Sequence, residues 1–439
     1  MLLYILGILI MVVGITLSIG LHEIGHLVPA KRFGVRVGQY MIGFGPTVWS
    51  RKFGETEYGV KALPMGGFIS MAGMYPPLQP GGRARNASTG FFETLMQDAR
   101  TASADTVAVG EEDRVFYSLA TWKRIVIMLG GPFMNLLIGI VLYAVVLCGF
   151  GIPQASTTIG SVSECVIPST SEATECAPDD EQAPGAAAGL APGDRILSVD
   201  GTEVDTWNAA TQIIRDSAGT EIDIVVERDG SPVTLEATPL LTERYVADEN
   251  GVVAKDADGE PIVQEVGFLG IGSAYETVQQ PVTAVLPLVG DNIVRVVNII
   301  LHLPQRLVDV WNAAFGPDER DPEGPISVVG VGRIAGEITS LNTVPVADRA
   351  SALIQVLASL NVALFVFNLV PLMPLDGGHV ANALFDAARR RFATLRGKPD
   401  PGPFDVARLI PLTFAVVILL GLMSVLLIYA DIVKPISIL

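Results

Sequence analysis

The first 21 positions of the chain carry no charged side chain. About 20 apolar residues are what a helix needs to cross a hydrocarbon core. Comparable hydrophobic runs cover roughly 2–30, 124–150, 353–374 and 409–430, and they predict a polytopic α-helical membrane protein with about four transmembrane helices. A further apolar stretch, 281–303, is interrupted by Asp291, Asn292 and Arg295, a pattern that predicts an amphipathic helix at an interface. Between the first two runs, Val35 to Gly73 alternates β-formers with Gly and Pro. This predicts short strands with tight turns, either an edge strand beside the candidate site at the end of the first helix or a small cytoplasmic hairpin. Gly43, Gly45, Gly66 and Gly67 would let backbone approach backbone closely there. Residues 76–113 read as a flexible loop, where the Asn86-Ala-Ser88 sequon carries no information.

The region from about 156 to 273 has a different rhythm. Arg195–Val199 reads as a strand between the turns Pro192-Gly193-Asp194 and Asp200-Gly201. A short small-residue helix precedes it, a helical segment from Trp207 to Ser217 follows, and two more strands fall within 221–230 and 231–240. The expected organisation is a first transmembrane helix at 1–34, a cytoplasmic-side β-hairpin region with its loop at 35–121, and a second helix at 122–150. An inserted extracytoplasmic α+β domain at 156–273 follows, then an amphipathic segment at 281–345, a third helix at 352–388 and a fourth at 409–431.

Charge assigns sides to these pieces. Lys31, Arg32, Arg36, Arg51, Lys52 and Lys61 flank the first run, and Arg389, Arg390, Arg391, Arg396 and Lys398 lie between the last two. The positive-inside rule puts both clusters in the cytoplasm and the acidic 156–273 region outside, with both termini outside as well. No basic residue precedes Lys31, so the first run reads as a retained span and not a cleaved signal. A mean hydropathy of +0.46 suits several spans plus a water-facing domain. The formal charge of −17 argues against nucleic acid as a partner. Cys165 and Cys176 fall in the extracytoplasmic region, where they can pair and close a loop of about a dozen residues. Cys148 reads as a small buried residue in the second span.

The first run ends in chemistry. His22, Glu23 and His26 form an HExxH motif, which puts two imidazoles one turn apart on one helix face, within reach of one Zn²⁺. Glu23 stands where it can take a proton from water at the metal. Ionisable groups in a span are costly and are functional by default. A catalytic zinc usually has a third protein ligand, which leaves a carboxylate or one of the two remaining histidines, His302 and His379. The best position is in Asn368 to His379, NLVPLMPLDGGH. There Pro371 and Pro374 break a helix, Gly377 and Gly378 allow a tight turn, and Asp376 can be presented inward.

HExxH in a first span followed by this Asn…Pro…Pro-Leu-Asp-Gly-Gly-His segment resembles the site-2 protease family of intramembrane zinc metalloproteases. Gly130-Gly131-Pro132-Phe133-Met134-Asn135 matches a further pattern of that family. Gly189 to Leu197 resembles part of a bacterial PDZ domain. One such insertion, in this order, is similar to the regulator-of-sigma proteases of actinobacteria. The second Pro stands one place later than in Gram-negative relatives, with the Asn368-to-Asp376 spacing unaffected. The resemblance implies zinc held by His22, His26 and Asp376, Glu23 as catalytic base, and substrate contacts from Asn368 and Asn135. His379 is then a neighbour of the ligands and His302 structural. The implied substrates are single-span membrane proteins, such as anti-sigma factors already trimmed outside. A PDZ-type scaffold with a vestigial metal site is the alternative, but it leaves an intact Glu23 and Asp376 without a use. A transporter would call for repeated spans, and none is seen.

Overall fold

The computed structural model describes residues 1–76, 91–107, 110, 113–167, 176–177, 180–246, 253–254, 261–317, 319–321 and 324–436. Residues 77–90, with Asn86, lie outside the described residues, and the expected 76–113 loop holds a helix over Phe91–Asp105 that the sequence pattern does not predict. The chain divides into two units, 1–150 with 281–439, and 151–280.

The first unit begins with α1 (Leu2–Arg32), about 46 Å long at 1.5 Å per residue. One face carries large apolar side chains turned outward, Leu17 at 61 % exposure among them, while Gly, Ser and the HExxH residues face inward. Strands β1 (Val37–Phe53) and β2 (Thr56–Met71) follow, both longer than the short strands the sequence suggested. Each bends, so Gln39–Ile42 pairs with Gly67–Ser70 on one side and with Glu57–Val60 on the other. Trp49–Lys52 adds a fourth row beyond Glu57–Val60. The positive φ of Gly43, Gly45 and Gly66 makes these bends possible. Tyr40 donates to the Gly20 carbonyl (2.8 Å) and so ties the sheet to α1. Burial, with the Glu23 carboxylate adding to it, pushes this phenol up to about 12, so it remains a donor at any physiological pH.

Helix α2 (Phe91–Asp105) leads to α3 (Thr121–Ala144), which continues as a wider turn over Val145–Phe150. The α1–α3 crossing is built on glycine. A Cβ on Gly25 or on Gly130 would run into the other residue's carbonyl oxygen. Close backbone approach of this kind is how helices associate where no hydrophobic force separates lipid from side chain.

The second unit holds β3 (Ile152–Val162), α4 (Pro184–Ala187), β4 (Arg195–Val199), β5 (Thr202–Glu203), α5 (Trp207–Asp216), β6 (Ile222–Arg228), β7 (Ser231–Ala237), β8 (Leu240–Tyr245), β9 (Val263–Phe268) and β10 (Ile271–Val278). The main sheet is antiparallel, in the order β10-β3-β4-β6-β7 with β5 on β4, and β8 pairs with β9 as a separate ribbon. Asp200-Gly201 and Asp229-Gly230 take positive φ at the β4–β5 and β6–β7 turns, the conformation tight hairpins require. Ile159, Leu190, Ile196, Ile222, Ile224, Val226 and Leu269 form the core. Asp194, 2 % exposed, accepts from Ala191 N and from Arg228 Nε (2.9 and 2.7 Å). Cys165 and Cys176 are joined by a disulfide.

Back in the first unit, α6 (Val285–Leu301) and α7 (Leu303–Phe315) are joined at His302. Asn292 of α6 donates to Ser359 (3.2 Å), while Phe315 of α7 stacks on Tyr429 (4.9 Å between centroids). Helix α8 (Val328–Ser340) lies along the first half of α1, with Thr339 donating to the Leu3 carbonyl (2.9 Å). Then come α9 (Val346–Asn368), α10 (Asp376–Leu395) and α11 (Ile410–Val433). Lys434, just past α11, donates to the Gly316 carbonyl (2.8 Å). These contacts dock α6 on α9 and the end of α7 beside the end of α11.

Four sequence expectations change among these helices. Among the described residues five helices are long and apolar enough to cross a membrane, one more than the four hydrophobic runs, and the addition is α6. Segment 281–345 is three helices instead of one interfacial stretch. The expected third helix, 352–388, is two helices separated by 369–375. Gly377 and Gly378 lie within the first turn of α10 and make no turn of their own. A Cβ on Gly378 would sit 2.6 Å from Met373 N, so they serve close packing of α10 on that connection.

Candidate metal centre

Two segments distant in sequence supply the three donor side chains. Helix α1 presents His22 and His26 one turn apart, and Asp376 opens α10, where a carboxylate is favoured by the positive end of the helix dipole. The Nε2 atoms of His22 and His26 are 3.1 Å apart, and Asp376 Oδ2 lies 3.3 and 3.4 Å from them. Metal bonds of about 2.0–2.1 Å in a tetrahedron imply ligand separations of about 3.3 Å. The three donor atoms therefore fit one zinc ion with a fourth position free. Asp376 Oδ2 is buried with no hydrogen-bond partner among the described residues, as suits an oxygen reserved for a cation.

The floor of this cradle is Gly131 of α3. A Cβ there would strike His26 Nε2 and stand 2.7 Å from His22 Nε2. His26 Nδ1 donates to the Ile127 carbonyl (2.7 Å), which leaves Nε2 with its lone pair toward the metal position. Glu23 is 9 % exposed, and Gly67 of β2 lies against it, with an ideal Cβ at Gly67 only 3.0 Å from Glu23 Cγ. The row Gly67–Met71 is the outer row of the sheet on this side and pairs inward with 37–42.

The other expected residues are placed differently. Asn135 is buried (1 % exposed) on α3, one turn beyond Gly131. Asn368 is half-buried at the last residue of α9. His379 lies one turn into α10 and lines a cavity with Arg124 and Asn382. His302 is at the α6–α7 turn, bonded to its own helix through the Asn298 carbonyl (2.9 Å).

Neither Gly25 nor Ser18 is marked by the sequence, whereas Gly67 is marked as a point of close backbone approach on a strand beside the site, and Gly131 as part of a matched pattern. Paired small residues inside an apolar run were the available signal, but what each one faces is set by its partner element.

A model of peptidase family M50 matches residues 10–399. The chain is 34 % identical to Zinc metalloprotease Rip1 of Mycobacterium tuberculosis over 445 residues, covering 99 % of this chain and 98 % of that one. Rip1 of Mycolicibacterium smegmatis is 32 % identical over 446 residues with the same coverage. Metalloprotease MmpA of Caulobacter vibrioides is 28 % identical over 401 residues, covering 88 % and 89 % of the two chains.

Proposed function

This chain belongs to peptidase family M50, the site-2 proteases, and is a zinc metalloprotease of the membrane; from that premise we propose that it cuts single-span membrane proteins within or at the edge of the bilayer. The observation that carries this reading is the meeting of His22, His26 and Asp376, whose ligand atoms lie within 4.8 Å of one another. These three residues hold the zinc. Bound there, zinc supplies Lewis acidity, polarising a peptide carbonyl and making water a nucleophile near neutral pH.

The chain's own residues do the rest. Glu23 takes the proton of the attacking water and returns it to the leaving amine. Its burial against Gly67 keeps it at the cradle and away from bulk solvent. A helical substrate must unwind before its carbonyls are reachable, since they are hydrogen-bonded within the helix. The Gly67–Met71 row, next to Glu23, offers backbone groups on which an unwound segment can add as a further strand. Asn368, at the end of α9, binds substrate backbone beside the ligand-bearing turn.

The basic clusters at 31–61 and 389–398 put the metal end of α1 toward the cytoplasm and the 151–280 unit outside. Read as a hairpin with both ends on the outer side, α6 and α7 reconcile five apolar helices with four crossings. The outer unit, read as PDZ-like, restricts entry to substrates already shortened outside, anti-sigma factors among them.

The test pairs metal analysis with cleavage of a candidate single-span substrate. Glu23→Gln keeps one zinc and loses cleavage, whereas His22→Ala and Asp376→Ala lose both. Full activity in Glu23→Gln would sink the mechanism, and zinc retained by Asp376→Ala would remove that residue from the ligand set.

A further inference from the structure

Three buried polar atoms behind the histidine pair have no hydrogen-bond partner among the described residues: His22 Nδ1, Asn135 Oδ1 and Asn361 Oδ1. They come from α1, α3 and α9. Asn361, fully buried, donates through Nδ2 to Ser18 Oγ (3.0 Å) and to the Leu357 carbonyl (2.8 Å). A carbonyl only accepts, so this second bond fixes which end of the amide is nitrogen. Ser18 is four residues before His22 and shares its helix face. Side chains on a helix lean toward its N-terminus, which carries the His22 ring toward Ser18 and the amide bonded to it.

Asn135 approaches from α3. It lies one turn after Gly131, whose Cβ position borders His22 Nε2, and one turn before Gly139, whose Cβ position is 3.0 Å from Val362 of α9. It therefore falls between the histidine pair and the helix that carries Asn361.

With Nε2 turned to the metal, a neutral His22 carries its proton on Nδ1. The three atoms are then one donor and two acceptors. A water molecule is the complement of that set, accepting once and donating twice, and buried waters make about three such bonds. We propose that one ordered water, held by His22 Nδ1, Asn361 Oδ1 and Asn135 Oδ1, fixes the tautomer and ring orientation of His22. Asn361 and Asn135 are then positioning residues for the metal centre, which gives Asn135 a part in holding His22 and not substrate. The two ligands differ accordingly: His26 is set by a backbone carbonyl that no substitution removes, and His22 by side chains. The inference rests on the reading of His22 as a zinc ligand.

The test measures zinc affinity of the full chain in detergent by competition with a chromophoric chelator, alongside the visible bands of the cobalt-substituted protein. Asn361→Ala and Asn135→Ala should each weaken zinc by about 10- to 100-fold, the range for partners behind a ligand, and shift the cobalt bands. The double variant should be no weaker than the worse single one, because both remove the same water. Thermal unfolding of the metal-free forms reports folding, and if Asn361→Ala does not fold, Asn135→Ala and Asn135→Leu carry the test. Losses that multiply in the double variant overturn the shared water. Unchanged affinity and bands overturn the proposal, provided His22→Ala has lost zinc. If His22→Ala keeps zinc, the ligand assignment itself fails.

Discussion

The difference between a metal cradle and a filled helix crossing is one methyl group. Gly131→Ala places that methyl between the two Nε2 atoms, against His26 and 2.7 Å from His22 at its ideal position. The backbone there is pinned by the Gly25–Gly130 contact one residue away and cannot retreat. Zinc affinity should fall on the order of tenfold or more, with cleavage lost in parallel, read by metal content after dialysis against a weak chelator. Wild-type zinc content in the Gly131→Ala protein would mean that the histidines can shift while keeping their geometry. The residue types gathered at the proposed metal site and the spacing of its histidines were legible in the sequence, since HExxH and the acid before Gly377 are local patterns. The floor was not, even with Gly131 inside a matched pattern, because that glycine's importance lies in what a Cβ would meet on another helix.

Among the elements, β4 and β6 of the 151–280 unit are tied by one buried carboxylate, Asp194 just before β4, which pairs with Arg228 of β6. The Arg228 guanidinium holds the Asp194 carboxyl below its ordinary range, against the opposing effect of burial. A carboxyl lowered in the folded state stabilises above its unfolded value of about 3.9, and that stability is lost as pH falls through the folded value. Thermal unfolding monitored in this unit should therefore weaken from about pH 5 downward. Asp194→Asn should start lower and show a flatter decline, and an equally steep decline would assign the effect to other groups. Reducing the Cys165–Cys176 disulfide should also destabilise this unit, by at most about 3 kcal/mol for a loop of this size. Mass mapping confirms the reduction, and an unchanged unfolding midpoint would show that the cross-link adds nothing to the stability of this unit. Strands β4, β6 and β7 and helix α5 lie where period and turn residues put them, because Asp-Gly turns and alternation are local signals. The α6–α7 hairpin was not legible. Asp291, Asn292 and Arg295 break the apolar run, and only the docking of Asn292 on Ser359 explains a polar residue at that depth.

At the scale of the whole molecule, the proposed sidedness can be tested through α6 and α7. Cysteines placed at Thr202 and Glu319 should both react with an impermeant maleimide on intact cells, while one at Lys398 should react only after lysis. Labelling of Glu319→Cys solely after lysis would mean that α6 crosses, inverting everything that follows it up to α11. The proposed metal pocket draws on residues 22, 26 and 376, which leaves about 350 residues of synthesis between its first two side chains and its last. At roughly 5–20 residues per second, a ribosome needs about 20–70 s to cover that distance. Throughout that interval the growing chain holds two imidazoles and a carboxylic base in the membrane with no third donor to close the set. A hydrolase whose centre is completed so late is inert among the other nascent membrane proteins at its own translocation site, and it gains activity only once nearly the whole bundle exists to restrict what reaches Glu23.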